Sequence, residues 1–370
     1  MKTHDYHRIL GIAGAGQLGL MMLLESRGLP LKFHVYGENP EDPALKFADR
    51  SFTGDQYREF VDSCDIVTFE FEHINPDLLK YAEEKNKLRP SYNSVKLKME
   101  RHREKEYLRD KGFPVGEFAV AHGSEEALSL ALQWKKFVIK TSTGGYDGKG
   151  QFYWDHMEDF PKNDEGIFVV EKFVDYLYEA SMICARDQEG NMVFYEPSYN
   201  YNRKGILINN STTLKDVMTN DSMKNISQRL LESLGYIGVM GIEFFVTEDG
   251  PIINEYAPRV HNTGHHTLMG SSISQFEMHV RAVTGLPLQM PVTYVPSGIV
   301  NVNGTELDTA QTMEILCING TRIYMYGKSP ARRKRKMGHV CVTASTAEKL
   351  LENQEKIKKI IYGNNLDEFI

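Results

Sequence analysis

The sequence predicts a protein of mixed α/β and α+β class: an N-terminal parallel-sheet domain, a larger strand-rich domain, and a small C-terminal strand-rich module. Three observations carry this reading. Strand and helix patterns alternate to about residue 90, as parallel strands joined by covering helices do. Short apolar runs separated by turns dominate from about 115 to 260. A proline-marked stretch, Pro287 to Pro296, then sets off the remainder. With 370 residues the chain exceeds the size at which one core stops growing, so two or three lobes are expected.

The elements follow in order. Residues 9–13 are a short apolar run, Gly14-Ala15-Gly16 a turn, and 17–27 carry Leu and Met at helical spacing. Residues 33–36 and 66–71 read as the next strands. Asn75-Pro76 supplies an N-cap followed by proline at the first helical position. Residues 94–110 read as one highly charged helix leading to Gly112 and Pro114, where we place the first boundary. Strands are expected at 137–140, 151–154, 169–174, 180–185, 192–195, 239–246 and 252–256, with helices at 124–132 and 221–234. A helix over 274–284 precedes the proline stretch, and another closes the chain near 347–361. The expected domains are 1–112, 113–290 (with a lid at about 115–178) and 291–370.

Composition narrows the function. Hydrophobic residues make up 41% and charged residues 25%, ordinary for a globular protein. A net charge of -7 argues against a general nucleic-acid binder, which needs a positive surplus. Cys64, Cys184, Cys317 and Cys341 form no CxxC pair, so a reducing cytoplasm is expected rather than a disulfide framework or zinc site. No signal-peptide pattern opens the chain, and the apolar run 18–24 is too short to span a bilayer. A soluble protein with no membrane partner is expected.

Gly14-Ala-Gly16-Gln-Leu-Gly19 fits GxGxxG between a strand and a helix, with Glu38 near the end of the second strand. Alone, it reads as a dinucleotide site, as a turn for another phosphate, or as close packing of a helix on a strand. The stretch Lys140-Thr-Ser-Thr-Gly-Gly-Tyr-Asp-Gly-Lys-Gly150 says more. A lysine at a strand end precedes a loop whose glycines let backbone N–H groups approach a polyphosphate closely. It is not a Walker A loop, since Lys149 is followed by Gly150; the alternative is a hairpin tip.

Two acids mark the next segment. Residues 241–246 and 252–255 flank Glu248-Asp249-Gly250, which suits a three-residue hairpin loop with Gly250 left-handed. Centring the turn on Asp249 pairs Glu243 with Glu255 on one face, their Cβ atoms about 5 Å apart. Carboxylates that close repel unless a cation lies between them, and oxygen ligands with Asn254 adjacent favour magnesium. The alternative has one acid facing solvent beyond the strand end.

Three weaker signals remain. The strand over 169–174 leads to Glu179; such a strand can bond an adenine edge and Glu179 can accept from ribose hydroxyls, or the charges serve solubility at an edge. Arg259 suits a bidentate grip on carboxylate or carbonate, and Asn262 offers an amide. His265 and His266 are adjacent and diverge, with no metal-ligand spacing around them. The stretch from Lys328 to Lys336 is densely basic, either a solvated turn or a phosphate site.

Together these segments resemble the N5-carboxyaminoimidazole ribonucleotide synthetase family of ATP-grasp enzymes. The resemblance rests on Gly14-Ala-Gly-Gln-Leu-Gly19, Thr68-Phe-Glu-Phe-Glu72, Gly144-Gly-Tyr-Asp-Gly-Lys-Gly-Gln151 and Asn254-Glu-Tyr-Ala-Pro-Arg-Val-His-Asn-Thr-Gly-His265. Ser274-Gln-Phe-Glu-Met-His279 and the block from Tyr326-Gly-Lys328 to Arg335-Lys-Met-Gly-His339 complete it, in the family's order. The chain departs from the pattern at Tyr195-Glu-Pro-Ser-Tyr-Asn200, at Asn202, where some members have a nucleotide-contacting histidine, and at His266, where tryptophan is usual.

The resemblance implies an ATP-grasp architecture: a Rossmann-like first domain, a glycine-loop lid and a small C-terminal module. It implies that ATP is bound by Arg101, Lys140, Gly145, Tyr146, Asp147, Gly148, Lys149, Gly150, Gln151, Glu171, Lys172, Phe173, Val174, Glu179, Asn254 and Glu255. Glu243 and Glu255 would hold magnesium. Tyr146, Asp147, Arg259, Lys328 and Arg335 would bind aminoimidazole ribonucleotide, with Lys140, Asp147 and Arg259 catalytic. The implied reaction carboxylates that ribonucleotide with ATP and bicarbonate; a homodimer is implied too. Another ATP-grasp ligase with a different acceptor is the nearest alternative. A dinucleotide oxidoreductase explains GAGQLG and none of the later motifs.

Overall fold

The structure is a computed structural model that describes residues 8–144, 150–162, 164–213 and 216–370. Among these residues the strands form three sheets. The first is parallel, in the order β3 (Arg50–Thr53), β2 (Lys32–Gly37), β1 (Ile9–Ala13), β4 (Ile66–Phe69). Alternate residues of β1 and β2 feed two cores. Leu10, Ile12, Phe33 and Val35 pack with Met21 to Leu23, while Ala13 and Tyr36 pack with Phe60, Leu78 and Leu79. A sheet covered on both faces needs such unbroken apolar strands. Asn75 caps helix Pro76–Glu84, its Oδ1 accepting the Asp77 N–H at 2.9 Å, with Pro76 at the first helical position.

The charged helix expected over 94–110 is two helices, Tyr92–Met99 and Arg101–Asp110, because Glu100 between them is extended (φ -127°, ψ 107°). The break lets the Arg101 N–H reach the Ser142 carbonyl at 2.8 Å. It also brings Lys98 and Arg101, from different helices, to one wall of a cavity.

The second sheet is antiparallel, in the order β5 (Phe118–His122), β8 (Ile167–Lys172), β6 (Phe137–Thr141), β7 (Gln151–Tyr153), backed by helix Ser124–Ala131. The third holds β14 (Gly250–Ala257), β13 (Gly238–Thr247), β9 (Tyr178–Arg186), β11 (Ser198–Arg203), β12 (Ile206–Ser211), β15 (Ser297–Asn303), β17 (Lys336–Thr343) and β16 (Thr321–Met325), with β10 (Met192–Phe194) on β9. The C-terminal strands thus extend the central sheet through the β12–β15 pairing.

Strands β11 and β12 escape the sequence reading because Asn200, Asn202, Asn209 and Asn210 disfavour strands. Within the fold, two of the side-chain amides find buried acceptors. Asn200 Nδ2 donates to Ser181 Oγ at 2.6 Å, and Asn210 Nδ2 to the Thr263 carbonyl at 2.5 Å. A buried histidine ties the parallel and central sheets together. His279 accepts the Val239 N–H at Nδ1 (3.0 Å), so its Nε2–H donates to Thr68 Oγ1 (2.7 Å).

Candidate functional site

One cavity of about 1160 Å³ is lined by residues of the second and third sheets and of the segments that follow β1 and β4 in the first. Its most charged wall centres on Glu171. Lys140, near the end of β6, reaches Glu171 Oε2 at 2.9 Å, and Lys105 reaches the same oxygen at 3.5 Å. Burial pushes the Glu171 carboxyl up, but Lys105, Lys140 and Arg101 outweigh it and hold the group down at about 2. Lys140 moves in the unfavourable direction. Burial lowers it, and Arg101 and Lys105 offset part of the attraction of Glu171. The partners differ because one carboxylate is shared among three cations. Such surplus positive charge suits a polyanion.

The acidic pair lies on the β13–β14 hairpin, where Glu243 and Glu255 stand opposite each other. The turn is one residue tighter than predicted: Thr247 pairs with Gly250 (φ +117°), leaving Glu248-Asp249 as the loop. That turn alone would set Glu243 opposite Asn254. A bulge between Glu243 and Phe244 absorbs the difference and leaves Asn254 as the unpaired residue. The predicted pairing therefore arises by another route. Burial, then Glu255 and Glu179, raise Glu243 well above the usual carboxylate range. Burial also raises Glu255, but Lys98 (3.0 Å) and Arg101 (3.7 Å) hold it well below the usual carboxylate range.

Asn254 Oδ1 is buried beside this pair with no hydrogen-bond partner. Two carboxylates and an orphaned amide oxygen fit a hard divalent cation. Among the described residues no three His, Cys, Asp or Glu side chains cluster as a metal site. Water and phosphate oxygens would therefore have to complete the shell.

An apolar wall stands near Glu179. Trp154 meets Phe173 edge-on at 4.8 Å, and Tyr176 stacks on Phe245 at 4.7 Å and 12°. Val174, Glu179 and Asn202 line the cavity beside them. Glu179 Oε1 accepts from the Tyr176 hydroxyl at 2.9 Å, and Oε2 from Asn202 Nδ2 at 2.5 Å.

The GAGQLG turn is occupied by the chain itself. Glu70, just past β4, accepts the N–H groups of Gly16 (2.5 Å) and Gly19 (2.8 Å) at the start of helix Gln17–Glu25. A dinucleotide phosphate would use those same donors. A Cβ on Gly14 (φ +96°) would lie 2.4 Å from Glu70 Cγ, and one on Gly16 2.7 Å from Glu70 Oε1. The glycines make room for a carboxylate. Gly14→Ala is expected to lose about 2 kcal/mol or more in denaturant unfolding, through positive φ plus this collision.

Two residues further on, the buried Glu72 accepts from Arg259 Nε (2.5 Å) and Nη2 (3.2 Å) in a bidentate pair at the cavity wall. Burial raises the Glu72 carboxyl, but Arg259 overrides it and the group lies below its ordinary value. Lys328 donates to the Gln17 side-chain oxygen and, at 3.3 Å, to the Lys336 carbonyl. Arg335 Nη1 donates to the Pro330 carbonyl at 2.8 Å. Lys328 and Arg332 to Lys336 all line the cavity.

The chain matches three family models in succession. They are the ribonucleotide synthetase preATP-grasp domain (residues 7–98), the ATP-grasp domain (106–276) and the phosphoribosylaminoimidazole carboxylase C-terminal domain (297–353). An N5-carboxyaminoimidazole ribonucleotide synthase from Saccharolobus solfataricus is 44% identical, over 98% of each chain. The chain belongs to the N5-carboxyaminoimidazole ribonucleotide synthase family. Crystal structures agree with that placement. The phosphoribosylaminoimidazole carboxylase ATPase subunit of Aquifex aeolicus aligns with a TM-score of 0.84 at 40% identity, covering 95% of this chain and 99% of that one. The Staphylococcus aureus N5-carboxyaminoimidazole synthetase complexed with ADP aligns at 0.89 and 27%, covering 98% and 99%. The fold is ATP-grasp, and the chain is an ATP-grasp ligase.

With the family fixed, the residues named from sequence can be located. The cavity gathers Arg101, Lys140, Gln151, Glu171, Lys172, Phe173, Val174, Glu179, Glu243, Asn254, Glu255, Arg259, Lys328 and Arg335. Lys172 turns its ammonium to Glu117 on the exposed side. Gly150 (φ +67°) lies against Thr141, where a Cβ would come within 2.3 Å of Oγ1. Gly145, Tyr146, Asp147, Gly148 and Lys149 lie outside the described residues. Sequence reasoning missed Lys98, Lys105, Glu72 and Tyr176 as contributors. Lys98, Arg101 and Lys105 recur at spacings of three and four, but in so charged a segment that pattern matches a solvated face.

Proposed function

We propose that this ligase carboxylates the amine of 5-aminoimidazole ribonucleotide with ATP and bicarbonate. The products are N5-carboxyaminoimidazole ribonucleotide, ADP and phosphate, a step of de novo purine (IMP) biosynthesis. The observation that carries the reading is the cation-rich wall around Glu171, in the same cavity as the acidic pair, Arg259 and the basic stretch. One cavity thus offers places for a polyphosphate, a carbonate and a ribonucleotide phosphate.

In this mechanism the adenine lies against Phe173 and Val174, and Glu179 accepts from the ribose. Lys140 and the N–H groups of the 145–151 loop hold the γ-phosphate as charge develops on it. Bicarbonate attacks that phosphorus, giving carboxyphosphate and ADP, while Arg259 holds the carbonate end in the pose set by Glu72. The amine, with its phosphate held by Lys328 and Arg335, then takes the carboxyl carbon as phosphate leaves, and Asp147 orients the amine or accepts its proton. Magnesium on Glu243 and Glu255, with Asn254 beside them, supplies charge neutralisation on the nucleotide phosphates when bound. A homodimer belongs to the same proposal.

Labelled bicarbonate tests this directly. Label is expected in the carbamate of the ribonucleotide only when ATP is present, and chelation of divalent cations is expected to abolish capture. ADP release without label in the ribonucleotide would overturn the proposed acceptor.

A further inference from the structure

We propose that Tyr176 and Asn202 form a clamp that presets the Glu179 carboxylate for the nucleotide ribose, and so set the preference for ribonucleotides over deoxyribonucleotides. The inference rests on the reading above, in which Glu179 faces the ribose of ATP.

The central sheet builds the clamp from three strands. In β9, Glu179 pairs with Phe245 of β13 on one side and with Asn200 of β11 on the other. A register shift at Tyr201/Asn202 lets Asn202 stay in β11 and reach Glu179 Oε2 at 2.5 Å. A carboxylate only accepts, so the Asn202 amide presents its nitrogen. On the other side Tyr176 lies flat on Phe245 at 4.7 Å and 12°, which fixes the height of its hydroxyl, 2.9 Å from Glu179 Oε1. Burial, then Glu179, push the Tyr176 hydroxyl well above its usual range, so it stays a donor.

Each carboxylate oxygen therefore takes one donor from the protein and keeps acceptor capacity for a second. Two oxygens held in one plane match the two vicinal hydroxyls of a ribose. Without the clamp, a carboxylate on a rotatable side chain would have to be ordered by the nucleotide itself, at a cost in affinity. Tyr176, Glu179 and Asn202 all line the cavity.

The test is binding of ATP, 2′-deoxyATP and 3′-deoxyATP to the full chain by calorimetry, with magnesium present. The wild type is compared with Tyr176→Phe, which keeps the stack, and with Asn202→Ala and Glu179→Gln. Wild type is expected to prefer ATP by roughly tenfold over either deoxy form, the scale of one hydrogen bond to a charged group. Tyr176→Phe and Asn202→Ala are each expected to weaken ATP by about fivefold. The deoxy forms should change less, so the preference narrows toward that of Glu179→Gln. A narrowed preference in Glu179→Gln with an unchanged one in the other two would overturn the clamp and leave Glu179 at the ribose. An unchanged preference in Glu179→Gln would overturn the placement of Glu179 itself, and the clamp with it. Thermal melting distinguishes either result from misfolding; Tyr176 is 39% exposed, so removing its hydroxyl leaves the core intact.

Discussion

Replacing Lys140 by methionine is expected to lower kcat/KM for ATP by roughly 10²–10³, the scale of losing one preorganised charged donor. The substitution keeps the length of a side chain that is 7% exposed and removes its charge. Glu171 keeps Lys105 at 3.5 Å and Arg101 nearby, so its carboxylate remains compensated and the fold should persist. What is lost is the ammonium held 2.9 Å from Glu171 Oε2 in the cavity wall, the group proposed above to meet the transferring phosphate. Steady-state ADP release and a thermal melt check this together. A loss below tenfold with an unchanged melt would remove Lys140 from the phosphate site.

The Glu72–Arg259 pair carries the second large effect. Removing either partner strands the other charge, and for a buried pair that costs about 3–5 kcal/mol. Glu72→Ala and Arg259→Ala are each expected to lose stability on that scale in denaturant unfolding. The double variant should lose clearly less than the sum, because neither charge is then left alone. Additive losses would mean that the pair is not coupled in solution. Arg259→Lys keeps the charge but not the fork that grips Glu72 through Nε and Nη2 at 2.5 and 3.2 Å. It is expected to keep most of the stability and lose about tenfold or more in turnover.

Much of this site was legible in the sequence because its chemistry is local. A strand-end lysine followed by glycines, and two glutamates at matched positions on a hairpin, can be read without neighbours. A three-residue turn predicts the acidic pairing, and the two-residue turn of the structure reaches it through a bulge; alternation reports the face of a strand and not its defects. What stayed hidden depends on distant partners. Glu100 breaks a helix where Arg101 meets Ser142. In β11 and β12, Asn200 and Asn210 are accommodated by donating to Ser181 and to the Thr263 carbonyl. GAGQLG looks like an anion site because it is one, with the anion supplied by Glu70 from 51 to 54 residues away. Lys98 appears as part of a charged surface helix until folding sets it between Glu104 and Glu255, 3.0 Å from each.

The most direct measurement is ADP release by the purified chain from ATP and magnesium, with bicarbonate and aminoimidazole ribonucleotide each supplied or withheld. The expected result is fast release only when both are present, since the cavity is read as holding all three substrates together. Release at a rate indifferent to the ribonucleotide would contradict the central claim, leaving an ATP-grasp ligase whose acceptor is another amine.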